Sequence, residues 1–162
     1  MKQVRNIGLF LLFISITISA FTQEIPKWKV KDLETFIKDA KQPTIINFWA
    51  TFCKPCLEEL PYIQSLQKKY ENAGVQLLLV SLDMSEAFPA KIKSVANKQK
   101  LKISSIVFLN ETDADLFCPV VDKSWSGAIP ASLFINNKKG YRKFYEEQLT
   151  KEIVEKEITN ML

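Results

Sequence analysis

Histidine is absent from all 162 residues of the chain. That one zero excludes Ser-His-Asp and Cys-His catalytic arrangements, His-containing zinc sites, HExxH hydrolysis and His-ligated haem, because each needs an imidazole as base or ligand. Cysteine is scarce too, and three residues cannot make the disulfide framework on which small secreted domains depend. No unit of roughly 20 to 50 residues repeats, which leaves solenoids and propellers without support. The apolar run at the N-terminus, residues 7–20, is short of the roughly 20 residues that a spanning helix wants. What remains is an ordinary globular composition, 47% hydrophobic and 25% charged, in enough chain for one domain with a real core. Collagen-like, disordered and polytopic membrane classes are thereby excluded. Any chemistry must run on cysteine, carboxylates, lysine or tyrosine.

The formal net charge of +4 counts Lys2 and Arg5, which belong to a segment that reads as an export signal. Residues 1–6 are short and basic, residues 7–20 are apolar apart from Ser and Thr, and Ala20 offers a small residue for cleavage before Phe21. Ile18 at the −3 position fits imperfectly, so the alternative is a retained N-terminal membrane tether. Either way the folded part is expected outside the cytoplasm: an extension over residues 21–30 that includes Trp28, then one domain over residues 31–162. Without Lys2 and Arg5, 20 basic residues face 18 acidic ones. They are interspersed, and no nucleic-acid or membrane-surface footprint is expected.

Short β-branched runs alternate with longer amphipathic stretches, which argues an α/β domain with crossover connections. A helix is expected over residues 31–40, a buried strand over 44–49, and a helix over 53–70 whose Leu57, Leu60, Ile63, Leu66 and Tyr70 share one face. Pro61 should bend that helix, since it cannot donate to the carbonyl of Leu57. A second buried strand over 75–82 and a helix from Ser85 and Pro89 to about Lys100 imply a parallel strand pair. Residues 103–109 are a weaker strand, and the acidic stretch 111–122 holds at most one short helix. Residues 131–135 and 141–145 form a hairpin closed at Gly140, and 149–162 a final helix capped by Thr150 with Ile153, Val154, Ile158 and Leu162 buried.

Cys53-Lys54-Pro55-Cys56 falls between the first buried strand and the helix after it. At a helix N-terminus the unpaired N–H groups and the positive end of the dipole stabilise a thiolate, so Cys53 should have a low pKa and an exposed sulfur. Cys56, one turn further in, is shielded and close enough to resolve a mixed disulfide between Cys53 and a substrate. Pro55 fixes a helical φ at no hydrogen-bond cost, and Lys54 adds a nearby positive charge. Two other readings compete. An inert bridge over four residues would contribute roughly 2 kcal/mol. A zinc site would need two more ligands, and only Cys118 is left among cysteines.

Asn47-Phe48-Trp49-Ala50 leading into Cys53-Lys54-Pro55-Cys56, then Glu59 and Pro61, resembles the N-F-W-A-x-x-C-x-P-C-x-x-E-x-P pattern of the TlpA/ResA kind of thiol–disulfide oxidoreductases, exported proteins of bacteria. Gly127-Ala128-Ile129-Pro130 entering residues 131–135 is similar to that family's cis-proline segment. The resemblance runs from about Ile45 to Ile135 and on toward the C-terminus; residues 24–43 match poorly. It implies a thioredoxin fold, a single domain with a central mixed β-sheet flanked by helices. Cys53 would be the nucleophile, Cys56 the resolving thiol, and Pro130 the cis-proline packed against them. Trp49, Lys54, Pro55 and Ile129 would meet the substrate, with Ile129 offering backbone groups to an extended strand. The pair would itself be the redox centre, with no cofactor or metal. Asn47 stands where cytoplasmic thioredoxins carry a buried acid, so the resolving thiol's proton must go elsewhere. Asp83 is similar in position to an acid that some members use, against the commoner reading of a turn or cap residue. Glu59 matches the motif, as a helix-face glutamate expected in solvent. Trp49 and Trp125 flank the motifs, as groove rim or as core.

Cys118 departs from the pattern. It is expected as a small buried hydrophobe beside Pro119, with an extra redox partner or an intermolecular bridge as the sharper readings. The resemblance implies an exported reductant that takes electrons from a membrane donor and passes them to protein disulfides, as in cytochrome c maturation. The alternatives are an oxidant or isomerase of the same disulfides and a non-catalytic binding module. A peroxiredoxin is a poorer fit, because Cys-x-x-Cys at a strand–helix junction suits dithiol exchange.

Overall fold

A strand can be buried on both faces only if its side chains are apolar or find polar partners inside, and Thr44–Trp49 is buried at all six positions. A computed structural model describes residues 24–162, and this segment lies near the middle of its sheet. The strands are β1 (Lys27–Trp28), β2 (Thr44–Trp49), β3 (Gln76–Ser81), β4 (Ile106–Leu109), β5 (Ala131–Asn136) and β6 (Tyr141–Tyr145), in the order β1-β4-β3-β2-β5-β6. The first four lie parallel, while β5 is antiparallel to β2 and β6 to β5. The sheet is therefore mixed, as expected.

Side chains alternate across a strand, and β2 divides its residues between two cores. Ile45 and Trp49 pack with α2 (Lys54–Lys69), α3 (Ala90–Lys98) and α5 (Lys151–Met161), through Leu60, Ile63, Ile92, Val154 and Ile158. Ile46 and Phe48 pack on the other side with α1 (Val30–Asp39) and α4 (Ala114–Val121), through Leu33, Ile37, Phe117 and Val121. Helix α2 runs through Pro61, whose exposed position spares the buried face.

The departures from sequence expectation have local causes. The helix expected from Ser85 is broken into a 3₁₀ turn, Ser85–Ala87, and α3, because Phe88 precedes a proline and adopts extended backbone (φ −89°, ψ 136°). The Phe88–Pro89 bond is cis. The strand expected from residue 103 begins at Ile106, after a 3₁₀ turn over Ile103–Ser105. Helix α5 starts two residues late because Thr150 caps it, accepting from the Ile153 N–H at 3.4 Å. Trp28 lies in β1, paired alongside Leu109, with its ring 5.4 Å from that of Phe36. The signal read over residues 1–20 lies outside the described residues. Among the described residues no helix is long and apolar enough to cross a membrane.

Candidate functional site

Buried strand β2 ends at Trp49, and the chain turns through Ala50-Thr51-Phe52 before α2 begins. Cys53 is the N-cap of that helix, and its sulfur accepts from the Cys56 N–H at 3.3 Å. One of the orphan donors of the first turn is thus aimed at the sulfur. Pro55 sits in that turn, as its fixed φ allows. Cys53 and Cys56 are joined in a disulfide, their Cα atoms 5.3 Å apart. Cys56 is fully buried, as expected. Cys53 is not the exposed sulfur expected: it is only 7% accessible, because in the disulfide it joins Trp49, Ala50 and Cys56 in the core. Lys54 projects into solvent with its Nζ 3.9 Å from a Glu58 oxygen. Its charge is partly offset there and screened, so it adds little at the sulfur.

Asp83 follows β3 and is 4% exposed. Its carboxylate accepts from the Thr51 N–H at 3.1 and 3.0 Å, from the Thr51 hydroxyl at 2.5 Å and from the Ser81 hydroxyl at 2.9 Å. None of these bonds involves a cysteine; they fasten the turn that delivers Cys53. Asp83 is therefore an anchor of the site's scaffold, the turn role weighed above. Asp83→Ala should destabilise the domain by about 3 kcal/mol, because it orphans the buried Thr51 amide and hydroxyl. Urea unfolding checks this, and a loss near zero would mean that the turn holds without the carboxylate.

A second buried acid of the site is Glu59. Its side chain lies on the same face of α2 as Cys56, one turn on, and has no exposed surface. One carboxylate oxygen accepts from Asn47 Nδ2 at 2.7 Å and the other from the Leu149 N–H at 3.0 Å. Burial raises its pKa to about 7, against the opposing pull of the Leu149 and Asn47 hydrogen bonds. The expectation of a solvated helix-face glutamate is thus overturned. The sequence carried one signal for it: a lone Asn47 in an apolar strand must find polar partners when buried. It finds Glu59, and it also donates to Ser132 Oγ at 2.9 Å.

The Ile129–Pro130 bond is cis, and Pro130 is buried directly before β5. Ala131 pairs with Phe48, so the strand register carries Pro130 to the end of β2, where the chain leaves for Cys53. Ile129 is half-buried against the core that holds both cysteines. Among the described residues its N–H and C=O take no part in sheet or turn hydrogen bonding. Trp49 does not form a rim: it is fully buried beneath the site, fixed by its place in a strand covered on both faces. Trp125, 5% exposed, packs in the second core with ring centroids 4.6 Å from Phe48 and 5.4 Å from Phe117. Phe52, next to Cys53 in the chain, is exposed, and with the exposed Met84 it lines a groove completed by Asp83, Glu86, Ala87 and Lys91. Sequence reasoning missed both, since nothing local separates an exposed aromatic from a core one. Cys118 is free and buried on α4, and burial is the main reason its thiol is pushed up to about 11. Among the described residues no cluster of three or more Cys, Asp or Glu is placed to hold a metal.

A Cys-x-x-Cys disulfide opening a helix, with a cis-proline strand beside it on a mixed sheet, defines a thioredoxin-like oxidoreductase. The AhpC/TSA family model matches residues 17–142. Thiol-disulfide oxidoreductase ResA of Bacillus cereus (strain ZK / E33L) is 31% identical over 138 residues, covering 82% of this chain and 73% of that one. ResA of Bacillus thuringiensis (strain Al Hakam) is 36% identical over 84 residues, but there the match spans 49% of this chain and only 47% of the relative. In fold the chain is similar to a thiol:disulfide interchange protein of the thioredoxin family from Chlorobium tepidum TLS, with a TM-score of 0.61 at 18% identity over 88% of this chain and 99% of that one. The chain belongs to the AhpC/TSA family, as a TlpA/ResA-like protein of thioredoxin fold.

Proposed function

We propose that the chain is an exported reductant of protein disulfides. The observation that carries this reading is the Cys53–Cys56 disulfide at the start of α2, with its second sulfur fully buried and the Glu59 carboxyl one turn further along the same face. In the reduced protein the Cys56 N–H and the helix dipole favour the Cys53 thiolate. That thiolate attacks a substrate disulfide, forming a Cys53–substrate bond and releasing one substrate thiolate, which takes up a proton. Cys56 then gives up its proton and attacks the Cys53 sulfur, restoring the internal disulfide and releasing the second substrate thiol. Two electrons have passed from the pair to the substrate. Glu59, whose pKa lies near 7, is suited to hold the proton that Cys56 loses.

The substrate approaches as an extended strand along Ile129, with Pro130 and Pro55 beside the sulfurs and Phe52 flanking them. A membrane donor returns the two electrons, and the first 20 residues supply the export signal or a tether. Cytochrome c maturation is one process that needs such a reductant. The test is the reduction potential of the pair, by equilibration in thiol/disulfide buffers with alkylation of free thiols. A value near the thioredoxin end, about −270 mV, is expected; one near −120 mV would make the protein an oxidant. A pair that does not exchange reversibly would leave only the fold's binding role.

A further inference from the structure

The loop that precedes Pro130 is gripped from outside the site by Glu146, the first residue after β6. One oxygen of that carboxylate accepts from the Ser126 N–H at 3.0 Å, from the Ala128 N–H at 3.1 Å and from the Ser126 hydroxyl. From the other side, the Trp125 indole N–H donates to the Ala128 carbonyl at 2.8 Å. Both polar groups of the Ala128 backbone are thereby taken. Between the two grips Gly127 has φ +96°, a conformation that other residues rarely adopt, and a Cβ there would lie 3.4 Å from the Ala114 Cβ and 3.7 Å from the Cys118 sulfur. The loop is thus tied at Ser126 and Ala128 and pressed toward α4. The next residue, Ile129, has neither its N–H nor its C=O in a sheet or turn hydrogen bond among the described residues.

We propose that Glu146 is a positioning residue for substrate: it holds residues 126–128 in the one loop shape that presents the Ile129 backbone to an incoming strand. The assignment rests on the oxidoreductase reading above and deepens it. Most surface carboxylates can be lost at little cost. Glu146 differs because three donors of a single loop converge on one oxygen, and hydrogen bonds to an ionised acceptor are the strong kind. Those hydrogen bonds also hold its carboxyl below the ordinary range. The chemistry at Cys53 does not pass through it. A substrate that needs the Ile129 backbone should feel its loss, while a small disulfide that reaches only the sulfur should not.

The experiment compares Glu146→Ala and Glu146→Gln with wild type on two substrates, insulin and a small aromatic disulfide. For Glu146→Ala the KM for insulin should rise about tenfold with kcat little changed. The rate with the small disulfide and the reduction potential of the pair should both stay at wild-type values. Glutamine keeps an amide oxygen that can accept from the same donors, so Glu146→Gln should recover most of the loss. Amide exchange measured by NMR gives a readout independent of turnover: the Ser126 and Ala128 amides should lose protection in Glu146→Ala and keep it in Glu146→Gln. An unchanged KM for insulin, or an equal fall with both substrates, overturns the assignment. If wild type reduces neither substrate, the oxidoreductase reading fails, and protection unchanged in Glu146→Ala would then overturn the grip itself.

Discussion

Cys56→Ser should accumulate protein adducts through Cys53, visible as reductant-sensitive bands on non-reducing gels, while Cys53→Ser should give none. The asymmetry follows from the position of the two sulfurs. Cys53 caps α2 and accepts from the Cys56 N–H, whereas Cys56 has no exposed surface, so an incoming disulfide can meet only the first. Removing Cys56 leaves attack intact and takes away the group that releases the product. Removing Cys53 takes away the bond-forming atom, and turnover of protein disulfides should fall on the order of 10³-fold or more. A serine at 56 remains compatible with the fold, because residue 56 follows Pro55 in the first turn and the helix is held by Leu60, Ile63 and Leu66. Equal trapping by both variants, or by neither, would count against a division of labour between the sulfurs.

The second large effect concerns stability. Glu59 carries a pKa of about 7 in the folded chain against an ordinary 4.5. Between those two values the native state holds a proton that the unfolded chain has released, so stability falls as pH rises through this window. Above about pH 7 both states are ionised and the loss is constant. The gap corresponds to at most about 3 kcal/mol. Glu59→Gln removes the ionisation and should unfold in urea with a midpoint that changes little between pH 5 and 8, while wild type weakens over the same range. The glutamine oxygen can accept from Leu149, and its amide can donate to Asn47 Oδ1, a buried atom with no partner, once the Asn47 amide, whose Nδ2 faces position 59 in the native chain, turns over. Parallel pH profiles for the two proteins would mean that Glu59 is not the group responsible.

The contrast between Cys53 and Glu59 shows what a sequence can and cannot reveal here. Strand β2, helix α2 and the β5–β6 hairpin carry their signals within a few residues: an unbroken apolar run, a three- and four-residue spacing, a glycine in left-handed conformation at 140 (φ +64°). The cysteines and the proline before β5 are equally local. Glu59 is buried through Asn47, 12 residues before it, and Leu149, 90 residues after it, and no window of sequence contains all three. Trp49 was ambiguous for the same reason, since its burial depends on the helices that cover both faces of its strand. Asp83 is legible from sequence as lying just past β3, but the choice between a proton-handling acid and a turn residue depends on Thr51, 32 residues before it, which takes its bonds. Strand β1 has two residues, too few for any periodicity.

The two outer strands carry a further consequence. An unpaired sheet edge is a template for another chain, and the usual defences are short length and charge. One edge of this sheet is β1, only Lys27–Trp28, and the other is β6, where Arg142 and Lys143 stand exposed at its middle. Neither offers a long neutral row of backbone donors and acceptors to a second copy or to an unfolded client. An extended segment that reaches the disulfide is thus kept from pairing along the flanks of the sheet. Just before β5, by contrast, Ile129 leaves both its N–H and its C=O outside the sheet and turn hydrogen bonds of the described residues, open to a visitor.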